Sequence, residues 1–561
     1  MPHQISNTRL KHPLAAAVAC VLLLQGCSHL SKPSSTQAMQ DTAERNVLAE
    51  PVSIAPPAPV PMPMAAGMPP PPMMSKMAAM GVMPTPMPMP SQEQYAGKAE
   101  NEVKSTQTAS ISTLSLDVDT GAYANIRRMI RHGQMPPADA VRIEELLNYF
   151  PYQNDPPSGQ HPFAVSTEVG RAPWQPKNLL LKVAVKATEV SAASQPPANL
   201  VFLVDVSGSM NDPEKLPLAQ ASLRLLTQQL RPQDRVSMVV YAGRTAVELP
   251  STKGSDKATI LAAIDRLTAG GSTNGEAALK LAYQQAEQHL IKGGINRILL
   301  MTDGDFNVGV SNPDDIKAMV AKAREGGISL STLGFGQGNY NEAMMEQIAD
   351  VGNGNYSYID SLDEAKKVLG DELSATFNTV AKDVKLQLEF NPATIKEWRL
   401  IGYENRVLNE QDFKNDKIDA AEVGAGKSVV ALYELTPVGE AGLLADRRYG
   451  EGKPVAGKTN EFGVLRVRYK APQGQTSTEF GTIIPASISK QPSTDLQFAA
   501  AVAGFGQLLK DSKYSGTWSY AQSAALAKQG VGVDRGGYRQ EFVKLAELTQ
   551  SLSQSGKVAA E

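Results

Sequence analysis

The sequence predicts an α/β fold: a doubly wound, largely parallel sheet at the centre of the chain, flanked by a β-rich sandwich and terminal helices. Between residues 199 and 360, apolar runs bounded by turn residues alternate with stretches of helical spacing, the pattern of successive βα units. From 384 to 488 the apolar segments alternate or run continuously between Gly and Pro, as in a sandwich. From 495 to 553 the apolar period is helical.

In the central part, strands are expected over 200–206, 235–241, 297–302 and 328–334, with helices over 216–230, 259–267, 277–290 and 313–324. Ahead of it, 111–118 alternates like a strand, and Ile126, Met129 and Ile130 give 122–131 helical spacing. A second helix starts after Pro136-Pro137, faces inward through Val141, Leu146 and Leu147, and ends before Pro151. Strands follow over 164–169 and 178–185. Behind the centre come a helix around 362–380 and strands over 384–389, 427–434 and 464–469.

A chain of 561 residues exceeds what one hydrophobic core supports. The patterns divide it into 1–26, a signal peptide; 27–108, a Pro- and Met-rich tether expected to be disordered; and 109–195, a small N-terminal domain. The α/β domain at 196–370, a β-rich domain at 371–490 and a helical segment at 491–561 complete it. A formal net charge of -3 and the absence of basic runs argue against nucleic acid as a partner. The only cysteines, Cys20 and Cys27, lie in the N-terminal segment, so a disulfide framework in the body is excluded.

That segment carries Arg9, Lys11 and His12, then an apolar run over 14–24, the layout of a secretory signal peptide. Its ending, Leu24-Gln25-Gly26-Cys27, resembles the bacterial lipobox, which implies an acylated Cys27 as the lipid anchor. Ser28 resembles the sorting pattern of Gram-negative lipoproteins held in the outer membrane. Acyl chains contribute about 0.8 kcal/mol per buried methylene, enough for stable attachment when several are present.

The candidate chemistry lies in three separated segments. The first expected strand of the α/β domain runs into Asp205-Val206-Ser207-Gly208-Ser209. A carboxylate and two hydroxyls at alternate positions, where a parallel strand ends, suit a hard cation with oxygen ligands. Gly270-Gly271-Ser272-Thr273 precedes a helix and Thr302-Asp303-Gly304 ends a strand, so Thr273 and Asp303 can complete the shell. With few charged ligands the ion stays electrophilic and open to a carboxylate from another molecule.

Asp205, Ser207, Ser209, Thr273 and Asp303, in this order, resemble the metal-ion-dependent adhesion site of von Willebrand factor type A domains. The resemblance covers about 196–370 and implies Mg²⁺, or Mn²⁺ or Ca²⁺, and a protein partner presenting an acidic side chain. The segments around Asp117-Val118-Asp119-Thr120-Gly121, Tyr149-Phe150 and Tyr403-Glu404-Asn405-Arg406 resemble the flanks of one bacterial lipoprotein family with such a domain.

Asp and Ser also serve strand-to-helix turns, but three motifs in one order exceed turn chemistry. Asp305 reads as a loop carboxylate, and Asp212 and Glu214 as charges at a helix N-terminus. Asp117-Val118-Asp119 lacks the spacing of a calcium loop, and Gly424-Ala425-Gly426-Lys427-Ser428 is followed by a strand, so no nucleotide is expected there. A metal-dependent hydrolase is the rival class. It needs a base or nucleophile, yet His29, His132, His161 and His289 lie outside the three loops and Ser207 lacks a Gly-x-Ser-x-Gly setting, so the site reads as binding, not catalytic. A scaffold binding through its flanking domains without metal stays open beside both.

Overall fold

A computed structural model describes residues 93–191, 194–271, 275–304, 313–372, 378–418, 420–445 and 458–558. Cys27 and the tether up to residue 92 lie outside the described residues. The end of that stretch, 93–108, expected to be disordered, is corrected: Glu93 pairs with Arg128 at 3.0 Å, Gln94 N–H donates to Tyr340 O at 2.8 Å and Lys104–Ser105 joins a sheet, because partners from distant segments order it.

The α/β domain holds a six-stranded sheet in the order Tyr356–Ile359, Ser329–Phe335, Ile295–Thr302, Ala198–Asp205, Arg235–Tyr241, Thr245–Lys253. The first five are parallel to one another and the last is antiparallel. Ala198–Asp205 and Ile295–Thr302 are buried at every position, which explains their continuous apolar runs: a central parallel strand is covered on both faces. One face packs Phe202, Val204 and Leu299 against Leu223 and Leu226 of the helix Leu216–Gln229. The other packs Val201, Leu203 and Ile298 against Leu279 and Ala282 of Gly275–Gln288. The four expected strands and four expected helices form here, with ends shifted by a few residues.

Three elements of this domain carried too weak a pattern to be expected. Thr245–Lys253 contains Pro250, which a strand tolerates at a sheet edge. Glu342–Val351 is a short helix whose Asn341 side chain caps Met344 N–H, and Tyr356–Ile359 is only four residues long. The helix expected over 362–380 is corrected: it runs as Leu362–Lys366 into a wider turn at Lys367–Asp371, and a strand has begun by Thr379.

The expected separation of 109–195 from 371–490 does not hold, because strands from both sides of the α/β domain interleave in a sandwich. One sheet runs Lys104–Ser105, Ile395–Ile401, Ser428–Pro437, Gln175–Ala187, Phe163–Ala172. The other runs Val407–Leu408, Ile111–Ser115, Thr379–Phe390, Glu461–Lys470, Ser477–Pro485, with Ala421–Gly424 also paired to Thr379–Phe390. Their inner faces bury Leu114, Leu181, Val183, Leu386, Tyr433 and Leu465 together. The α/β domain is thus an insertion between halves of one sandwich.

The segment expected as a separate helical tail also has partners. Thr494–Leu509, Tyr520–Gln529 and Tyr538–Val558 pack with Gly121–Arg131 and Ile143–Asn148 on the outer face of the first sheet, through Phe150, Phe498, Phe505, Phe542, Leu180 and Val430. Ser493 and Ser519 cap two of these helices on Leu496 and Gln522 N–H.

Arginines join the layers. Arg406, from the sandwich, reaches Asp350 at 3.0 Å and Glu346 at 3.3 Å on the α/β helix Glu342–Val351, and Asp119 at 3.3 Å and Asp117 at 3.4 Å. Burial holds the Asp119 carboxyl well above its ordinary value and pushes Asp350 up to about 6. A raised folded-state value means that the native state keeps its proton longer than the unfolded chain, so the Asp350 contribution weakens as pH rises from the ordinary carboxylate range to about 6. Replacing Arg406 by Leu leaves these carboxylates without their cation, which should cost about 3–5 kcal/mol. The loss, read by urea unfolding, should be larger at pH 8 than at pH 5, because only ionised carboxylates need the guanidinium; equal loss at both would refute the assignment.

Candidate functional site

The register of three adjacent strands builds the floor of the site. Asp205 pairs laterally with Tyr241, and Val204 with Met301, so Tyr241, Asp205 and Thr302 end at one level on the carboxyl edge. From the central strand the chain goes first to Arg235–Tyr241 on one side and only later adds Ile295–Thr302 on the other. Such a switch point opens a crevice outside the strand ends, where open α/β sheets hold ligands.

Asp205 is 0 % exposed, Asp303 1 % and Ser207 3 %, while Ser209 is exposed. The Asp205 carboxylate accepts from Ser207 N–H at 2.8 Å through Oδ1 and from the Thr302 hydroxyl at 3.0 Å through Oδ2. Ser207 Oγ and Ser209 Oγ lie 3.0 Å apart across the tight turn Gly208–Met210. Burial pushes the Asp205 carboxyl up to about 6, hydrogen bonds from Ser207 and Thr302 oppose that rise, and the neighbouring Asp303 charge adds to it. Burial also holds the Tyr241 hydroxyl well above its usual range, and the Asp205 charge adds to that.

Asp303 Oδ2 accepts from Lys215 Nζ at 2.8 Å, and the same ammonium reaches Asn339 Oδ1 at 3.4 Å. Lys215 directly precedes the helix Leu216–Gln229, whose first turn holds no acid; Asp212, expected as a charge at that N-terminus, instead holds the approach by accepting from Glu214 N–H at 2.8 Å. Glu214 Oε1 lies 3.5 Å from His132 Nε2, which brings an imidazole from far along the chain beside this loop.

The glycine-rich loop approaches from the side of Arg235–Tyr241. Gly208 N–H donates to Gly271 O at 3.0 Å and Gly270 N–H to Val206 O at 2.7 Å. Gly271 has φ +92, and a Cβ there would stand 2.4 Å from Gly243 N, so only glycine lets this loop lie against its neighbour. Gly304 is under the same demand on the other side, with φ +89 and a Cβ that would meet Asn341 N at 2.5 Å.

Of the five residues proposed for the site, Asp205, Ser207, Ser209 and Asp303 gather at this edge; Thr273 lies outside the described residues, as does Asp305. Thr302, Lys215 and Tyr241 were missed as site residues. Thr302 stood inside the Thr-Asp-Gly motif, whereas nothing local marked Lys215 or Tyr241, whose roles depend on folding. Among the described residues no three His, Cys, Asp or Glu side chains are placed to hold a metal, so a cation here must draw on hydroxyls as well as carboxylates. The donors meet that demand: two carboxylates set deep, two hydroxyls leading outward, all oxygens, which fits a hard divalent ion that keeps water.

Comparison with known proteins agrees with this reading of the fold. A family model described as von Willebrand factor type A domain matches residues 199–371, and one described as von Willebrand factor matches 89–182. A third, described as Uncharacterized protein YfbK, C-terminal, matches 375–552. Inter-alpha-trypsin inhibitor heavy chain H4 of Homo sapiens is 33% identical over 163 residues, 27% of this chain and 17% of that one. A solved structure of von Willebrand factor type A from Catenulispora acidiphila covers 66% of this chain and 88% of its own, at 17% identity and a TM-score of 0.38. Uncharacterized protein YfbK of Escherichia coli (strain K12) is 50% identical over 463 residues, 81% of this chain and 80% of that one. Identity of that depth over most of both chains makes this protein a member of the YfbK family, with a von Willebrand factor type A domain at its centre.

Proposed function

We propose that this protein binds a protein partner through a divalent cation, Mg²⁺ or Mn²⁺ or Ca²⁺, held by Asp205, Ser207, Ser209 and Asp303 with Thr273 from the glycine-rich loop. The observation that carries the proposal is the gradient of exposure across one donor set, from Asp205 at 0 % to the exposed Ser209. The bound cation supplies an electrophilic centre that takes an acidic side chain of the partner. Asp205 and Asp303 provide charge from below, Ser207 and Ser209 provide neutral oxygens, and Thr302 fixes the Asp205 carboxylate by its hydrogen bond at 3.0 Å. Type A domains act in protein–protein interaction, which supports reading the site as an adhesive contact. Binding is favoured over hydrolysis because the hydroxyls of Ser207 and Ser209 face each other and His132 faces Glu214, so among the described residues these groups do not pair a base with a nucleophile.

The place we propose for this contact is the cell envelope of a Gram-negative bacterium, at the outer membrane. The support is the Leu24-Gln25-Gly26-Cys27 ending followed by Ser28. Acylated Cys27 would anchor the chain in lipid and the Pro- and Met-rich stretch would hold the type A domain away from it.

Isothermal titration of the full chain with MgCl₂ should show one saturable site. Asp205→Ala should abolish it, and Thr302→Val, which removes only the supporting hydroxyl, should weaken it by roughly 10–100-fold. Equal Mg²⁺ uptake by wild type and Asp205→Ala would overturn the assignment. Capture of envelope proteins on immobilised wild-type chain should likewise lose its specific partner in EDTA and in Asp205→Ala. A partner kept under both conditions would favour the metal-independent scaffold. For the anchor, Cys27→Ala should move the protein from the membrane pellet to the soluble fraction, and its retention in the pellet would exclude lipidation as the means of attachment.

A further inference from the structure

A second cavity, away from the carboxyl edge, lies where the type A sheet meets the sandwich and the helical layer. It has a volume of about 480 Å³, within the range of small-molecule sites. Its walls come from the start of the strand Ile295–Thr302, the strand Tyr356–Ile359, the turn Lys367–Asp371 and the loop Gly424–Ser428. Tyr149, Tyr356 and Tyr538 line it, and so does one arginine, Arg297.

Arg297 is 5 % exposed and pairs laterally with Leu200 and Ser329 in the middle of a parallel sheet. Its Nη1 donates to Ser331 Oγ at 2.7 Å, and Ser331 Oγ is itself fixed by Asn355 N–H at 3.1 Å. Among the described residues its buried Nε has no hydrogen-bond partner and no carboxylate pairs with the guanidinium. Burial pulls the guanidinium down to about 10, with only the Glu422 charge opposing. Glu422 takes Asn353 Nδ2 at 2.6 Å and Lys382 at 3.8 Å. Four other acids stand on the walls: Glu189 faces Lys186 at 3.2 Å, Glu372 faces Lys367 at 2.6 Å, Asp119 faces Arg406 at 3.3 Å, and Asp371 accepts from the Tyr538 hydroxyl at 3.4 Å. A buried guanidinium with an unused edge, beside a cavity, is costly unless an anion meets it.

The unused edge also selects the anion. With Nη1 committed to Ser331, Nε and Nη2 form a planar fork that matches a carboxylate side on. A phosphate has more oxygens to satisfy, and the amides of the nearby glycine loop are already engaged. Ala425 N–H donates to Asn378 O, Gly426 N–H to Thr188 O and Lys427 N–H to Gly424 O, at 2.7, 2.9 and 3.2 Å. The tyrosine rings suit an apolar or aromatic body behind the carboxylate.

We infer that this cavity binds a small carboxylate with an aromatic or apolar body, held through Arg297 and independent of the metal edge. The test is isothermal titration of the full chain in EDTA with sodium benzoate as probe, and with acetate and inorganic phosphate for comparison. Wild type should take up benzoate at one saturable site, more tightly than acetate or phosphate. Arg297→Met, which removes an unpaired buried charge at similar volume, should bind benzoate at least about tenfold more weakly. Arg297→Lys keeps the charge but not the fork and should also bind more weakly, which serves if the methionine variant does not fold. Absence of saturable benzoate uptake, a preference for phosphate, or equal uptake by wild type and either folded variant would overturn the inference.

Discussion

A carboxylate without solvent contact must be met by donors or by positive charge, and the type A domain is arranged around that demand at Asp205. The residue ends a strand that is buried along its whole length, so its side chain enters a crevice walled by the neighbouring strand ends. Thr302 and the Ser207 amide satisfy its oxygens, while Asp303 brings a second negative charge beside it. Lys215 pairs with Asp303 at 2.8 Å. Among the described residues, two carboxylates gather beside one ammonium, and hydroxyls at Ser207 and Ser209 lead from them toward solvent. That combination of buried carboxylates and an outward path is what supports the proposal of a binding site at this edge.

The rest of the fold holds this domain in a fixed setting. Because strands before and after it interleave in both sheets of the sandwich, the type A domain is tied at both ends to one body. Arg127 adds a second tie: it pairs with Asp360 and with Glu364 at 2.7 Å from the end of the type A segment, donates to Tyr149 at 2.8 Å, and reaches Glu541 of the last helix at 3.0 Å. Arg406 does the same from the sandwich side through Asp350 and Asp119. The charged pairs are largely buried, so their geometry fixes orientation even where their net contribution to stability is small. The Asp117-Val118-Asp119 segment, a turn in sequence terms, proves to be one of these clasps: Asp119 also accepts from Tyr356 N–H at 2.9 Å.

The two ends of the central sheet therefore face different surroundings. Asp205 and Thr302 finish adjacent strands at an edge whose Ser209 reaches solvent. Arg297, near the start of one of the same strands, is enclosed by the sandwich loop and the helical layer. One end of the sheet thus gathers carboxylates at an outer crevice, and the other sets the Arg297 guanidinium beside an enclosed cavity.

Much of this was legible from the chain alone. The βα alternation, the four main strands and the three motifs were readable because periodicity and strand-end placement depend on residues a few positions apart. The motif order also named Asp205, Ser207, Ser209 and Asp303. Long-range pairing was not readable: nothing near Ile111–Ser115 announces that it lies against Thr379–Phe390, since that register is set by shared burial across more than the whole inserted domain. The same applies to Lys215 on Asp303 and to Arg297 beside its cavity, which read as ordinary surface or strand residues until neighbours from distant segments close around them. Local sequence decided which groups were available for chemistry; tertiary packing decided which were desolvated, which were matched, and which were left facing open space.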